Sequence, residues 1–512
     1  MSTDTPHNAD QINSAPPVSA GLVRRGAGLA TVGFLATQVI ALATAVLIAR
    51  LLTKDEIGAF FEGSIVAILG AAFAESGMLG AVIQRKDRLE EAANTALIAT
   101  LASGFVLTLV ALGLAPLIGW WFNSHEVTLV GLACAPLLLT RASAIIPDAL
   151  LQRRFAFTRR LFVDPGLVLS YGIVAVILAV LGFGVWSLVI GTYASHVFLI
   201  LSTWLFARWR PRPRLASFAM WRELASYGRH LLFGTAAMHL REGVTMFAIG
   251  RAFGESGVTN FNYGRRVAQL PQVANWSIAA YVLFPAFARI ADDAQRLRGA
   301  FLRAYRWLWL IAPAIGGLFL ALGEPIMRVL LGDEWTEAGL ILAAMAGIGI
   351  GEVIISIVVE TGKAAGWSAI VSRLAMINVI SGIGLLFVFL PFGIVAAAAS
   401  VSVSSLIVAG GALFWIARVV DISKREIARE TTPGLVAALG ATAATWALDR
   451  GVVEASYQGF LLDLGGLAVD AAAFSVVYLA LLGVLAPARL RDIRRAAGAL
   501  YSKVRGLRGA TA

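Results

Sequence analysis

Charged side chains interrupt several long apolar runs of this sequence, and they are the residues with the most capacity for chemistry. Arg141 lies near the centre of the run Val127 to Leu150. Arg241 and Glu242 stand side by side near the middle of His230 to Phe253, and Glu62 and Glu75 fall within Ile57 to Val82. An ionisable group at the centre of a hydrocarbon layer costs several kcal/mol unless it faces protein or water, so such groups call for a wet interior. Guanidinium groups in such an interior attract anions and can grip a phosphate with two parallel hydrogen bonds. Arg141 and Arg241 are therefore candidates for a phosphate-bearing ligand, while Glu75, Glu242 and Glu360 are candidates for taking up and releasing a cation. For Arg241 and Glu242 the competing reading is a structural pair neutralised against its neighbours. Arg265, Arg266, Arg373, Glu352 and Glu360 sit closer to the ends of their runs, where snorkelling to the interface accounts for a charge as well as ligand binding does.

The elements that must hold these groups are membrane helices. Hydrophobic residues make up 58% and charged residues 14% of the 512 residues, and the mean hydropathy is +0.78; a soluble chain carries about a quarter charged residues. A bilayer core of about 30 Å accepts roughly 20 apolar residues per helix, and about 14 windows have that length. They fall near Ala27 to Ala49, Ile57 to Val82, Thr95 to Phe122, Val127 to Leu150, Phe162 to Leu181 and Trp186 to Phe206, then His230 to Phe253, Asn260 to Phe287, Phe301 to Leu322, Ala338 to Glu360, Ala369 to Leu390, Ile394 to Ala417, Pro433 to Leu448 and Leu464 to Ala486. The net charge of +11 would point to nucleic acid in a soluble protein. Here the basic residues lie between apolar runs, so topology explains them and no nucleic-acid partner is expected. About 30 Lys and Arg fall on one side of the resulting frame and about 5 on the other, which predicts that both termini are cytoplasmic.

An even number of helices per half gives a parallel pseudo-repeat. The expected organisation is a disordered cytoplasmic tail (1–22), a six-helix bundle (23–207), a basic linker (208–229), a second six-helix bundle (230–417), two extra helices (418–486) and a basic cytoplasmic tail (487–512). An ungapped match between Ile249 to Phe261 and Ile48 to Phe60 fits such a repeat, at an offset of 251 − 50 = 201 residues; some transporters are built this way. Outward loops are short, so no extracytoplasmic domain is expected.

Soluble-enzyme chemistry leaves no mark. There is no phosphate-cradling G-x-x-x-x-G-K-[ST], no H-E-x-x-H and no Cys/His metal spacing, so neither cofactor nor metal is expected and the chain is read as a non-enzyme. Gly347-Ile348-Gly349-Ile350-Gly351 lies inside an apolar run, where small residues let helices approach closely. The one cysteine, Cys134, cannot form an internal disulfide. Among the five histidines, His239 alone lies deep in a run that also carries charge, and a hydrogen-bonded core histidine is the simpler reading of it.

Several short stretches in order add a family resemblance. Leu52-Thr53-Lys54-Asp55-Glu56-Ile57-Gly58, Glu75-Ser76-Gly77-Met78-Leu79-Gly80, Leu150-Leu151-Gln152-Arg153-Arg154-Phe155, Gly182-Phe183-Gly184-Val185-Trp186, Leu283-Phe284-Pro285-Ala286-Phe287 and Leu330-Leu331-Gly332-Asp333-Glu334-Trp335 resemble the Wzx-type polysaccharide flippases. These are members of the multidrug/oligosaccharidyl-lipid/polysaccharide exporter superfamily. The resemblance covers about the first two thirds of the chain. It implies two six-helix bundles in a V around a central cavity, in the inner membrane. It also implies translocation of a polyprenyl-diphosphate-linked oligosaccharide for exopolysaccharide, capsule or O-antigen synthesis, with a polysaccharide polymerase and chain-length or export proteins as further partners. Arg141 and Arg241 would then hold the diphosphate, and Trp276 and Tyr281 would stack on sugars. A drug or metabolite exporter of the same superfamily is the alternative, followed by a membrane-embedded polymerase or ligase.

Overall fold

The computed structural model describes residues 20–75, 77–153, 157–272, 275, 279, 283–453, 460–489 and 491, without the side chains of 20–32, 34–35, 72, 75, 157–161, 229–235, 368, 452–453 and 460–461. The described residues are helical throughout, with no strand among them. The chain divides into two compact units, Met1–Thr259 and Asn260–Ala512.

The first unit contains α1 (Ala20–Leu51), α2 (Lys54–Glu75), α3 (Met78–Gln84), α4 (Leu89–Phe122), α5 (His125–Cys134), α6 (Leu137–Arg153), α7 (Phe157–Val180), α8 (Val185–Ala207) and most of α9 (Phe218–Ala268). Its start signals are chemical. Thr53 caps α2 by accepting from the Glu56 amide, and Glu56 Oε2 accepts in return from the Thr53 amide at 2.8 Å. This reciprocal box satisfies amides that the first helical turn leaves open. Ser124 Oγ likewise accepts from the Val127 amide to open α5. The run Val127 to Leu150 is not one helix: α5 and α6 meet at Ala135 and Pro136, where proline has no N–H to continue the ladder. Two apolar clusters hold the unit together. One gathers Val82, Ala96, Ile146, Leu150 and Met220, and the other Ala59, Val130, Cys134 and Val189.

Gly254 breaks α9 with φ 70 and ψ −173. A side chain would resist this backbone, and glycine does not. The stretch beyond the break packs back on α2: Thr259 Oγ1 donates to the Lys54 carbonyl at 2.7 Å, and the Glu255 backbone presses on Gly58 so closely that a Cβ there would stand 2.6 Å from the Glu255 Cα. These contacts join the two segments that the 201-residue offset relates.

The second unit contains α10 (Phe284–Ala288), α11 (Ala294–Leu331), α12 (Thr336–Ala344), α13 (Gly347–Ala364), α14 (Ser368–Phe389), α15 (Ile394–Val419), α16 (Lys424–Leu448) and α17 (Phe460–Leu485). Here too one apolar window is broken, between α12 and α13. Gly347 and Gly351 bring α13 against α15: the Gly347 amide donates to Ser402 Oγ at 3.1 Å, and a Cβ on Gly351 would strike Ser405. Close helix approach is thus what that glycine run does. The pair α16 and α17 packs small on large, with Ala437, Ala438 and Ala441 against Phe474, Tyr478 and Leu482. Trp335, in the turn between α11 and α12, is buried and lies 4.7 Å from the Tyr263 ring.

Among the described residues, nine segments are long and apolar enough to cross a membrane, with Ala36–Leu51 a shorter apolar helix. The helices α2, α9 and α16 coincide with further windows of the sequence.

Candidate functional site

In the first unit, Arg141 sits half-buried one turn into α6, on a polar seam between α6 and α8. Thr140 Oγ1 and His196 Nδ1 share a hydrogen bond of 2.7 Å, and the His196 ring lies within electrostatic range of the Arg141 guanidinium. Further along α8, the Trp204 indole donates to the Ser143 carbonyl at 3.1 Å; at the other end, the Tyr193 hydroxyl donates to the Ala133 carbonyl at 2.7 Å. Tyr193, His196 and Trp204 share one helical face, so α8 fixes the backbone on which Arg141 is carried. Sequence reasoning passed over His196; its spacing from Tyr193 and Trp204 was the available signal.

Arg241 and Glu242 are half-buried on α9. Arg241 lies in the same compact unit as Arg141. The Arg241 carbonyl accepts from Thr245 Oγ1 at 2.8 Å. Arg141, Arg241, Glu242, Arg265 and Arg266 are all engaged by neighbouring groups. Glu62 is buried deeper than any of these, 1% exposed in the middle of α2.

In the second unit Arg265 is half-buried, while Arg266 and Arg373 are exposed. Glu360, 2% exposed near the end of α13, accepts from Lys363 Nζ at 2.7 Å. A lysine one turn along the helix therefore balances that carboxylate. The Glu75 side chain, Trp276 and Tyr281 lie outside the described residues.

The charges at the basic ends of the helices do structural work. Arg153, on the Leu-Gln-Arg-Arg stretch, donates to the Ile83 carbonyl at 3.0 Å and to that of Arg85, closing the open end of α3. Arg85 pairs with Glu223 at 2.8 Å, with Arg88 on the same carboxylate. The Arg85 hydrogen bond holds Glu223 below the ordinary carboxylate value. In the second unit Glu426 is also held low, chiefly by the Ser423 amide and hydroxyl, with Arg298 at 2.6 Å assisting. Arg306 grips Glu430 with two bonds of 2.8 and 3.0 Å, and buried Arg489 donates to the same carboxylate at 2.8 Å. Among the described residues no group of three or more His, Cys, Asp or Glu could hold a metal ion.

Known proteins share parts of this sequence and its fold. The chain is 29% identical over 345 residues to the succinoglycan biosynthesis transport protein ExoT of Rhizobium meliloti (strain 1021), covering 65% of this chain and 67% of that one. It is 24% identical over 317 residues to the lipopolysaccharide biosynthesis protein WzxC of Escherichia coli (strain K12), covering 59% of this chain and 62% of that relative. Its fold is that of the lipid II flippase MurJ in an inward closed conformation, with a TM-score of 0.70 at 15% identity over 91% of this chain and 99% of the other. An inward-facing multidrug resistance transporter of the MATE family and MOP superfamily matches with a TM-score of 0.61 at 17% identity, over 77% and 98%. The polysaccharide biosynthesis protein family model matches residues 47–340, more than half of the chain and the stretch that carries Arg141, Arg241 and the α2–α9 contact, and the chain belongs to that family.

Proposed function

We propose that this protein is a flippase that carries a polyprenyl-diphosphate-linked oligosaccharide repeat unit across the bacterial inner membrane for exopolysaccharide, capsule or O-antigen assembly. The observation that carries this reading is the family match over residues 47–340, joined to relatives whose names are those of a succinoglycan transport protein and a lipopolysaccharide biosynthesis protein. The physical task is to pass a diphosphate and several sugars through hydrocarbon while the polyprenyl tail stays in lipid.

Arg141 and Arg241 supply the positive potential for the diphosphate, and a planar guanidinium suits it because two parallel N–H groups meet two phosphate oxygens. Outward movement of an anion is favoured when the cell interior is negative, by about 2.3 kcal/mol per charge per 100 mV. An ion gradient resets the carrier through carboxylates such as Glu242. Both termini are cytoplasmic in this scheme, the helices are organised as six plus six plus two, and the product passes to a polymerase with chain-length or export proteins. The test is gene deletion followed by analysis of the lipid-linked oligosaccharides on the cytoplasmic leaflet. Accumulation of one such species there, relieved by the intact gene, is expected; normal polymer export without the gene overturns the reading.

A further inference from the structure

The least comfortable group in the first unit is Glu62. It is 1% exposed, and its Oε1 is buried with no hydrogen-bond partner. The neighbours on the Oε1 side are a glycine and a phenyl ring. A Cβ on Gly250 of α9 would stand 2.6 Å from Glu62 Oε1 and 2.7 Å from the Phe122 ring. The Phe247 ring packs edge-on against Phe122 at 5.6 Å and stacks on Trp121 at 4.8 Å. Only because residue 250 lacks a side chain can α9 lie over this carboxyl. An ionised carboxylate without donors is among the costliest groups to bury, and the neutral acid costs far less.

The charges around it do not help the ionised form. Glu255 of α9 acts on Glu62, and Asp55 of α2 and Glu126 of α5 act on Glu255 in turn. On α9 the nearest cation by sequence, Arg251, lies over the Trp121 ring at 5.7 Å. On the other helices packed against α2, α4 presents Phe122, while α6 and α8 carry Arg141 and His196, which lie within electrostatic range of one another. A metal cation is a poor occupant of this place, because it needs several oxygen ligands and finds glycine and phenyl carbon beside Oε1. A proton needs one oxygen.

We propose that Glu62 is a proton-binding site of the first unit, and that its protonation state sets whether α9 can pack on α2 at Gly250. In the conformation described here the carboxyl carries its proton. On release the O–H bond breaks, its electron pair stays on the carboxylate and the proton passes to water. The bare carboxylate then requires solvent, which the Gly250–Phe122 contact excludes, so α2 and α9 separate. This assigns the proton to a residue other than the carboxylates named above, and it deepens the flippase reading by naming the coupling ion; the binding itself needs no substrate.

The test uses the full-length purified protein in lipid nanodiscs, without substrate. Infrared difference spectra between about pH 6 and about pH 9 are expected to show the carbonyl stretch of a protonated carboxyl disappearing as pH rises. That band should be missing from Glu62→Gln, whose neutral amide mimics the protonated acid. Thermal unfolding provides a second readout: the wild type should lose stability across the same pH interval, and Glu62→Gln should lose much less. A band that persists in Glu62→Gln, or identical pH dependence of the two proteins, overturns the proposal. Because neither readout involves transport, that failure leaves the flippase reading standing. Conversely, normal polymer export in the deletion strain removes the flippase reading without touching the proton site.

Discussion

Replacing Gly58 by alanine tests the contact on which the packing of α9 against α2 depends. Taken alone, an alanine in a helix interior is worth about 1 kcal/mol more than glycine, so local propensity predicts a stabilised protein. Packing predicts the opposite. The new Cβ would lie 2.6 Å from the Glu255 Cα and closer still to the Glu255 carbonyl, so reaching an ordinary contact of about 3.4 Å requires a retreat of more than about 1 Å. The obstacle is backbone, which cannot swing aside as a side chain can, and it belongs to the segment tied to the Lys54 carbonyl by Thr259. Overpacking of this kind costs about 1–3 kcal/mol, which outweighs the propensity gain. The control is Gly113→Ala in α4, where a Cβ meets nothing within 4 Å; that variant should keep the full propensity gain. Because the propensity gain is common to both, the two should differ by the overpacking cost alone, about 1–3 kcal/mol, or roughly 5 °C in unfolding temperature for a unit of this size. Thermal unfolding of both purified proteins in the same detergent measures it. If Gly58→Ala proves as stable as Gly113→Ala, then the kinked segment of α9 does not rest on α2 in solution.

Other outcomes are expected elsewhere. Arg241→Ala should lower polymer export by about 10- to 100-fold, the worth of a lost charge-assisted hydrogen bond, while membrane insertion seen by immunoblot stays intact; unchanged export would remove Arg241 from the substrate site. Trp335→Ala vacates a buried ring site against Tyr263 and should destabilise the second unit by about 3–5 kcal/mol, read as a lowered unfolding temperature. Glu223 is held low by Arg85, so its contribution to stability is fully present above the ordinary carboxylate value of 4.5 and is lost as pH falls through its depressed value. Comparing wild type with Glu223→Gln by thermal unfolding down to about pH 3 should show the difference between them shrinking as the carboxylate is protonated.

The apolar windows made the helices legible, because roughly twenty uncharged residues in a row have few other uses. Helix starts were less so: the apolar window of α2 opens at Ile57, whereas its cap is Thr53, three residues before the Glu56 acceptor. Breaks within a window were harder. Pro136 signals the join of α5 and α6, whereas Met345 and Ala346 at the join of α12 and α13 carry no such mark, and an alanine-rich stretch gives hydropathy no reason to fall. Least legible were the pairings across long sequence separations. Nothing near Glu62 announces that Gly250 will cover it, and nothing around Thr140 announces that His196, 56 residues on, will share its hydrogen bond; hydropathy reports the depth of a residue, not its neighbours. The basic linker before α9 reads as a boundary, while the compact unit of the first half runs on as far as Thr259.

The chain holds a single cysteine, and Cys134 is fully enclosed at the α5 end of the first core. A chemist thus receives a background already silent to membrane-impermeant maleimides, with no native thiol to remove. One new cysteine at a time can be placed along the chain and its sidedness read in intact cells. Exposed Phe183, in the turn between α7 and α8, and exposed Arg210, beyond α8, make a first pair: labelling of Phe183→Cys and not of Arg210→Cys would orient the whole molecule in its membrane.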